Sequence, residues 1–91
     1  MSYYLFPHDV DMRKGIYSLY QWVRSDMGRN PLSGEVFLFL GKTRAMIKIL
    51  HWQQDGFMLY TKKLERGTFE VPRFNPGSGQ YEMKWATFVL I

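Results

Sequence analysis

The stretch Ile47-Lys48-Ile49-Leu50-His51-Trp52-Gln53-Gln54-Asp55-Gly56-Phe57-Met58-Leu59-Tyr60-Thr61-Lys62-Lys63 decides the fold. Two runs of aliphatic and aromatic residues flank a short polar segment that ends in Gly. This pattern predicts a β-hairpin with Gln53–Gly56 as its loop. Trp52 then faces Phe57, and the pairing runs outward from there. Side chains alternate across the pleat, which sorts the hairpin into two faces. One holds Ile47, Ile49, His51, Met58, Tyr60 and Lys62. The other holds Met46, Lys48, Leu50, Trp52, Phe57, Leu59, Thr61 and Lys63.

Upstream, Glu35-Val36-Phe37-Leu38-Phe39-Leu40 is dense in strand formers. Gly41–Arg44 is expected to turn the chain into a strand over 45–52, and a third strand follows over 57–65. In this meander Val36, Leu38 and Leu40 join Ile47 and Ile49 on an aliphatic face, whereas Phe37 and Phe39 join Lys48 on an aromatic one. Residues 2–6 read as a further strand, ended by Pro7. Asp11 stands where a helix N-cap belongs, and Met12, Ile16, Leu19, Tyr20, Val23 and Met27 recur at helical spacing behind it. The spacing predicts a helix over 12–27, with Gly15 as a weak point and Gly28 as its stop. After Arg66-Gly67 a short strand is expected over 68–71. The Pro/Gly/Asn/Ser-rich segment 72–79 reads as a loop, Tyr81-Glu82-Met83 as a last strand, and 84–91 as the start of a helix.

These elements make an α+β domain: a small antiparallel meander sheet packed with an N-terminal helix, plus a C-terminal helical segment. The helix is expected on the aliphatic face. The aromatic face, with Phe37, Trp52 and Phe57, is too apolar to stay wet. It requires the last helix, a partner chain or a nucleic acid as its cover.

The chain has 91 residues, enough for one domain with one core. Its hydrophobic share of 46% excludes a disordered tail. It has no Cys, which excludes a disulfide framework and a Cys-based zinc site. No apolar run is long enough to span a bilayer, and the N-terminus lacks the features of a secretory signal. A cytoplasmic location is the expectation. Lys and Arg number 12 against 8 acids, for a net charge of +4, which favours polyanionic partners, nucleic acid above all.

Candidate nucleic-acid contacts are Arg13, Lys14 and Arg24 on the first helix, Lys42 and Arg44 in the first hairpin loop, Lys48 on the sheet, and Lys62, Lys63 and Arg66 at the end of the third strand. The helix set reads more readily as a solvated helix face, and the loop and strand-end cations are the better electrostatic candidates because they are terminal. Phe37, Trp52 and Phe57 are candidate partner contacts, with packing in the domain's own core as the alternative. His8, Asp9, Asp11, His51 and Asp55 would serve catalysis or metal binding only by converging. Asp11 is accounted for as a cap and Asp55 as a turn residue, and no catalytic motif is present. No enzyme activity, cofactor or metal is therefore expected.

The ordered set Asp11-Met12-Arg13-Lys14-Gly15, Pro31-Leu32-Ser33-Gly34-Glu35-Val36-Phe37, Ile47–Trp52, Asp55-Gly56-Phe57, Leu59-Tyr60 and Lys63-Leu64-Glu65-Arg66-Gly67 with Phe69 resembles the small TnpB-type accessory proteins of insertion-sequence-sixty-six transposable elements. These are unrelated to the RNA-guided nuclease that shares the TnpB name. The resemblance implies a non-catalytic accessory protein in bacterial DNA transposition. Its implied partners are element DNA, a DDE-type transposase and the element's second small accessory protein. It also implies that relatives continue beyond Ile91, so a C-terminally truncated copy is an expectation. The Gly41–Arg44 loop is less basic than in relatives, which argues against a strong phosphate clamp there. Two readings stay open: binding to element DNA or the transposase–DNA complex, and a protein-interaction module that never touches DNA.

Overall fold

The computed structural model describes residues 2–69, and the backbone of 73–75, 77 and 80–82. In chain order it contains β1 (Tyr3–Leu5), α1 (Ile16–Ser25), β2 (Val36–Leu40), β3 (Met46–Trp52), β4 (Phe57–Lys63), β5 (Arg73–Asn75) and β6 (Gln80–Glu82). Among the described residues these strands form one sheet in the order β4-β3-β2-β1-β6-β5. The architecture is α+β, as expected. The C-terminal helical segment falls outside the described residues.

The hairpin register is the one read from the sequence. Trp52 pairs with Phe57, and the ladder continues to Met46 and Lys63. In the preceding hairpin Leu40 pairs with Ile47, and Gly41 N–H donates to Met46 O at 3.0 Å. The loop is therefore 42–45, one residue later than expected at each end. That shift moves the register by two positions, so every side chain keeps its expected face.

The left-handed residue of the 53–56 loop is Gln54 at φ 59°, with Gln53 N–H donating to Gly56 O at 2.8 Å. Gly56 is not in that region, so the conformational strain of the turn falls on a residue with a Cβ. Left-handed backbone costs a non-Gly residue about 1 kcal/mol or more, partly offset by the extra freedom Gly has when unfolded. Gln54→Gly is expected to stabilise the protein by about 0.5 kcal/mol, read as a higher urea midpoint at unchanged m. A lower midpoint would contradict the turn geometry.

Two elements differ from the sequence reading at their ends. The helix starts at Ile16, with Gly15 in extended backbone as an N-cap that offers no side chain. Asp11 does not cap it. Its carboxylate instead accepts the Arg13 N–H at 2.9 Å and the Arg13 guanidinium, closing a separate turn in which Lys14 N–H donates to Asp11 O. Downstream, β5 occupies part of the segment expected to be loop and pairs with β6, while residues 68–69 are not strand. At the helix end, Met27 and Arg29 donate back to Trp22 O and Val23 O, and Gly28 at φ 64° reverses the chain as expected.

The sheet is mixed, not purely antiparallel. β1 lies parallel to β2, with Tyr3 opposite Val36 and Leu5 opposite Leu38, and its other edge pairs with β6. β2 is thus an interior strand, buried at all five positions, which explains its unbroken apolar run.

The helix covers the aromatic face, not the aliphatic one. Leu19, Val23 and Met27 pack with Tyr4, Phe6, Phe37, Phe39 and Leu50. The Trp22 ring lies 5.5 Å from Phe6 and 6.4 Å from Phe39, centroid to centroid. The physical reason is topological. A helix that joins parallel strands almost always crosses right-handedly, so the β1–α1–β2 connection leaves one face for it. The opposite face forms a second cluster in which Tyr3, Leu5, Val36, Leu38, Leu40 and Ile47 pack with Phe69.

Candidate nucleic-acid interface

The ladder dictates where the cations go. Lys62 and Lys63 end β4 opposite Ile47 and Met46, which begin β3. They therefore stand beside the 42–45 loop, which carries Lys42 and Arg44. The chain then returns along that loop. Leu64 N–H donates to Ala45 O at 2.7 Å, and Phe69 N–H donates to Arg44 O at 2.8 Å. These two bonds hold the Glu65–Gly67 bend, with Arg66, at the same end of the sheet. All five cations are exposed, and among the described residues none has a carboxylate partner. Glu65 is the acid within this segment.

The helix start adds to this end. Lys48 lies on the helix-covered face, and its Nζ donates to Lys14 O at 2.7 Å. This bond ties the turn before α1 to the sheet and leaves the Lys14 side chain exposed beside it. The Lys48 ammonium is thus partly committed to the fold. Met12 packs here too. A Cβ added to Gly41 would come within 2.9 Å of Met12 Cγ, so the bare glycine is what lets the turn settle on the loop.

Two of the sequence candidates contribute little to this surface. Arg13 is exposed, but its charge is offset by Asp11 at 2.7 Å. The hydrogen bonds from Arg13 hold the Asp11 carboxyl well below the usual carboxylate range. Arg24 sits in the last turn of α1, away from the loop, with Nη1 3.5 Å from Tyr20 Oη.

The expected partner face is divided by the structure. Phe37 is fully buried beneath α1 and has no surface to offer, because the helix takes the face the sequence left uncovered. Trp52 and Phe57 are half-buried in edge-on contact, with centroids 5.0 Å apart, and Tyr20 meets Phe57 at 5.8 Å. They flank the 53–56 loop, at the opposite end of the hairpin from the cations. The exposed apolar residues of β4 are Met58 and Tyr60, on the other face.

The candidate acid–base residues do not meet. His51 pairs with Val36 at one end of β2. Its Nε2–H donates to Gly34 O at 3.1 Å, while Nδ1 accepts from Gln53 Nε2 at 3.3 Å, a tautomer set by these partners. His8 and Asp9 lie against Leu40 at the other end of β2. Among the described residues no group of three His, Asp or Glu is arranged to hold a metal ion, and no helix is long and apolar enough to cross a membrane.

One structural ion pair escaped the sequence reading. Arg29 Nη2 donates to Glu35 Oε2 at 2.6 Å, and its guanidinium lies 3.8 Å from the centre of the Tyr4 ring. The only sequence signal was one cation and one acid on either side of the Asn30–Gly34 loop.

The model of the IS66 Orf2-like proteins matches residues 1–91. This chain belongs to that family. The family is associated with transposition, in agreement with the resemblance carried by the hairpin and its flanking motifs. Two proteins of Sinorhizobium fredii, both described as uncharacterized, are similar to the chain. The protein y4hO is 37% identical over 69 residues, and y4jC is 33% identical over 69 residues. Each alignment covers 76% of this chain, and the chain spans 60% and 59% of the length of these two relatives. No solved structure matches it.

Proposed function

We propose that this family member is a non-catalytic accessory factor of a bacterial insertion sequence, acting in the cytoplasm by binding element DNA within the transposase–DNA complex. The DDE-type transposase and the element's second small protein are its proposed partners. The observation that supports this reading is the gathering of Lys42, Arg44, Lys62, Lys63 and Arg66 at one end of the sheet, with no carboxylate partner among the described residues. Exposed cations at a loop and a strand end suit phosphate contacts, which supply affinity without sequence reading.

The test is anisotropy of labelled element-end DNA across a salt series. The triple variant Lys62→Ala, Lys63→Ala, Arg66→Ala is expected to bind more weakly on every sequence. Its log–log salt slope should be flatter by roughly 2–3, since each phosphate contact contributes about 0.9. No binding by the intact protein at low salt would reject the proposal. If the protein then still captured the transposase, the DNA-free interaction reading would stand. What favours that second reading is β4 itself, an edge strand with Met58 and Tyr60 exposed.

A further inference from the structure

β4 is an open edge. It lies at one end of the strand order, and among the described residues no strand pairs with its outer side. The opposite edge of the sheet is β5, only three residues long, and a strand that short offers little to pair with. β4 runs for seven residues, with no proline and no bulge in its one-to-one register with β3. Met58, Tyr60, Thr61, Lys62 and Lys63 are exposed along it.

The ladder fixes which backbone groups are left over. Gln53 N–H donates to Gly56 O at 2.8 Å and Leu64 N–H to Ala45 O at 2.7 Å, so the pairs 53/56 and 45/64 are of the hydrogen-bonded kind. Hydrogen-bonded and non-hydrogen-bonded pairs alternate along an antiparallel ladder. Met58, Tyr60 and Lys62 therefore turn their N–H and C=O groups toward β3. Phe57, Leu59, Thr61 and Lys63 turn theirs to the free edge, where a further strand can take them up.

The side chains select a second copy of the same strand. Apolar and aromatic residues, Phe57 to Tyr60, fill its first half, and its two cations stand at its end. An antiparallel copy overlapping along the whole length sets Lys62 against Met58, Lys63 against Phe57 and Thr61 against Leu59 of the other chain. Lysine stems then lie along apolar side chains, and no cation faces a cation. The two Lys62 residues stand about 14 Å apart along the strands, beyond the screening length at physiological salt. In this register the outward groups of Phe57 meet those of Lys63, and the outward groups of Leu59 meet those of Thr61. Tyr60, 49% exposed, meets its own counterpart as a non-hydrogen-bonded pair, the kind in which side chains approach closest. A parallel copy would instead set Lys62 and Lys63 of both chains side by side, so the lysines guard the edge against that arrangement.

We propose that β4 pairs with β4 of a second copy, antiparallel and about a two-fold axis at Tyr60, to form a homodimer with one continuous sheet. Both helices then lie on the same side of that sheet, and the two basic clusters stand at opposite ends of the new ladder. The dimer does not rest on the DNA reading and would survive its failure.

Sedimentation velocity on the full chain tests it. A single strand pair is a small interface, so a dissociation constant on the order of 10 μM is expected. A species of twice the 10.9 kDa chain mass should then dominate at about 100 μM. Tyr60→Lys and Tyr60→Glu, each alone, are expected to weaken the dimer about tenfold, because residue 60 then meets a like charge. An equimolar mixture of the two variants is expected to recover it as a mixed pair. Thr61→Pro removes an outward N–H and no bond to β3, and is expected to leave a monomer with wild-type far-UV circular dichroism. A chain still monomeric at about 500 μM would overturn the proposal. So would a Tyr60 variant that dimerises as well as the wild type, or a mixture that binds no more tightly than its components. Should Thr61→Pro fail to fold, the Tyr60 variants still decide.

Discussion

Phe37→Ala is expected to destabilise the protein by about 3–5 kcal/mol, the usual cost of truncating a fully buried aromatic. Phe37 has no exposed surface, pairs with Tyr4 on one side and Leu50 on the other, and lies beneath Leu19, Val23 and Met27. The sheet on both sides is held by backbone ladders and the helix rests on neighbouring rings, so the site has little room to collapse. A domain of this size has a total stability of order 5–15 kcal/mol. The variant should therefore be partly unfolded at 37 °C, with a melting midpoint lowered by roughly 15–30 °C. Tyr17→Ala, at a position 77% exposed, serves as the control and should move stability by less than about 0.5 kcal/mol. A loss at Phe37 of under 1 kcal/mol in urea unfolding would mean that the helix does not cover this face.

Arg29→Ala carries the second large effect, about 2–3 kcal/mol. The guanidinium makes a two-point contact with Glu35 and stacks on Tyr4, and the two charged side chains are 24% and 23% exposed. Charge-assisted hydrogen bonds contribute about 1.5–3 kcal/mol and a half-buried cation–π contact about 1 kcal/mol, reduced by the remaining solvent screening. The pair also locks the connection from α1 into β2, because Glu35 immediately precedes that strand and its carboxylate accepts from Ser33 Oγ at 3.0 Å.

This site sets an acid limit on stability. Burial pushes the Glu35 carboxyl up, but hydrogen bonds from Arg29, Tyr4 and Ser33 outweigh it, and the net shift is downward. A carboxyl lowered in the folded state contributes its stability above the unfolded value, about 4.3, and loses it as pH falls through the lower folded value. Wild-type stability should therefore decline below about pH 4.5, and the Arg29→Ala variant should show a shallower decline over the same window. Parallel pH profiles of the two proteins would refute the assignment.

The hairpin shows how much was legible in advance. Period-two alternation from Ile47 to Lys63 defines both faces, and a loop error of one residue at each end of the 42–45 turn changes neither. The basic cluster was legible for the same reason, since hairpin register alone carries Lys62 and Lys63 to the loop that holds Lys42 and Arg44. The start of the helix was misread because Asp11 satisfied the pattern of a cap while its carboxylate had a nearer donor, Arg13. β5 was missed because Pro and Gly punctuate a three-residue strand as readily as a loop.

The sequence by itself determined the α+β class, the β2–β3–β4 meander, the alternation of its faces and the family, since all four depend on residues close together in the chain or on their order. Only the tertiary structure decided which face the helix covers. That choice depends on the parallel pairing of Tyr3–Leu5 with Val36–Leu38, a contact between segments some thirty residues apart that leaves no local pattern. The same pairing places Tyr4 beside Phe37 and buries Phe37 beneath the helix.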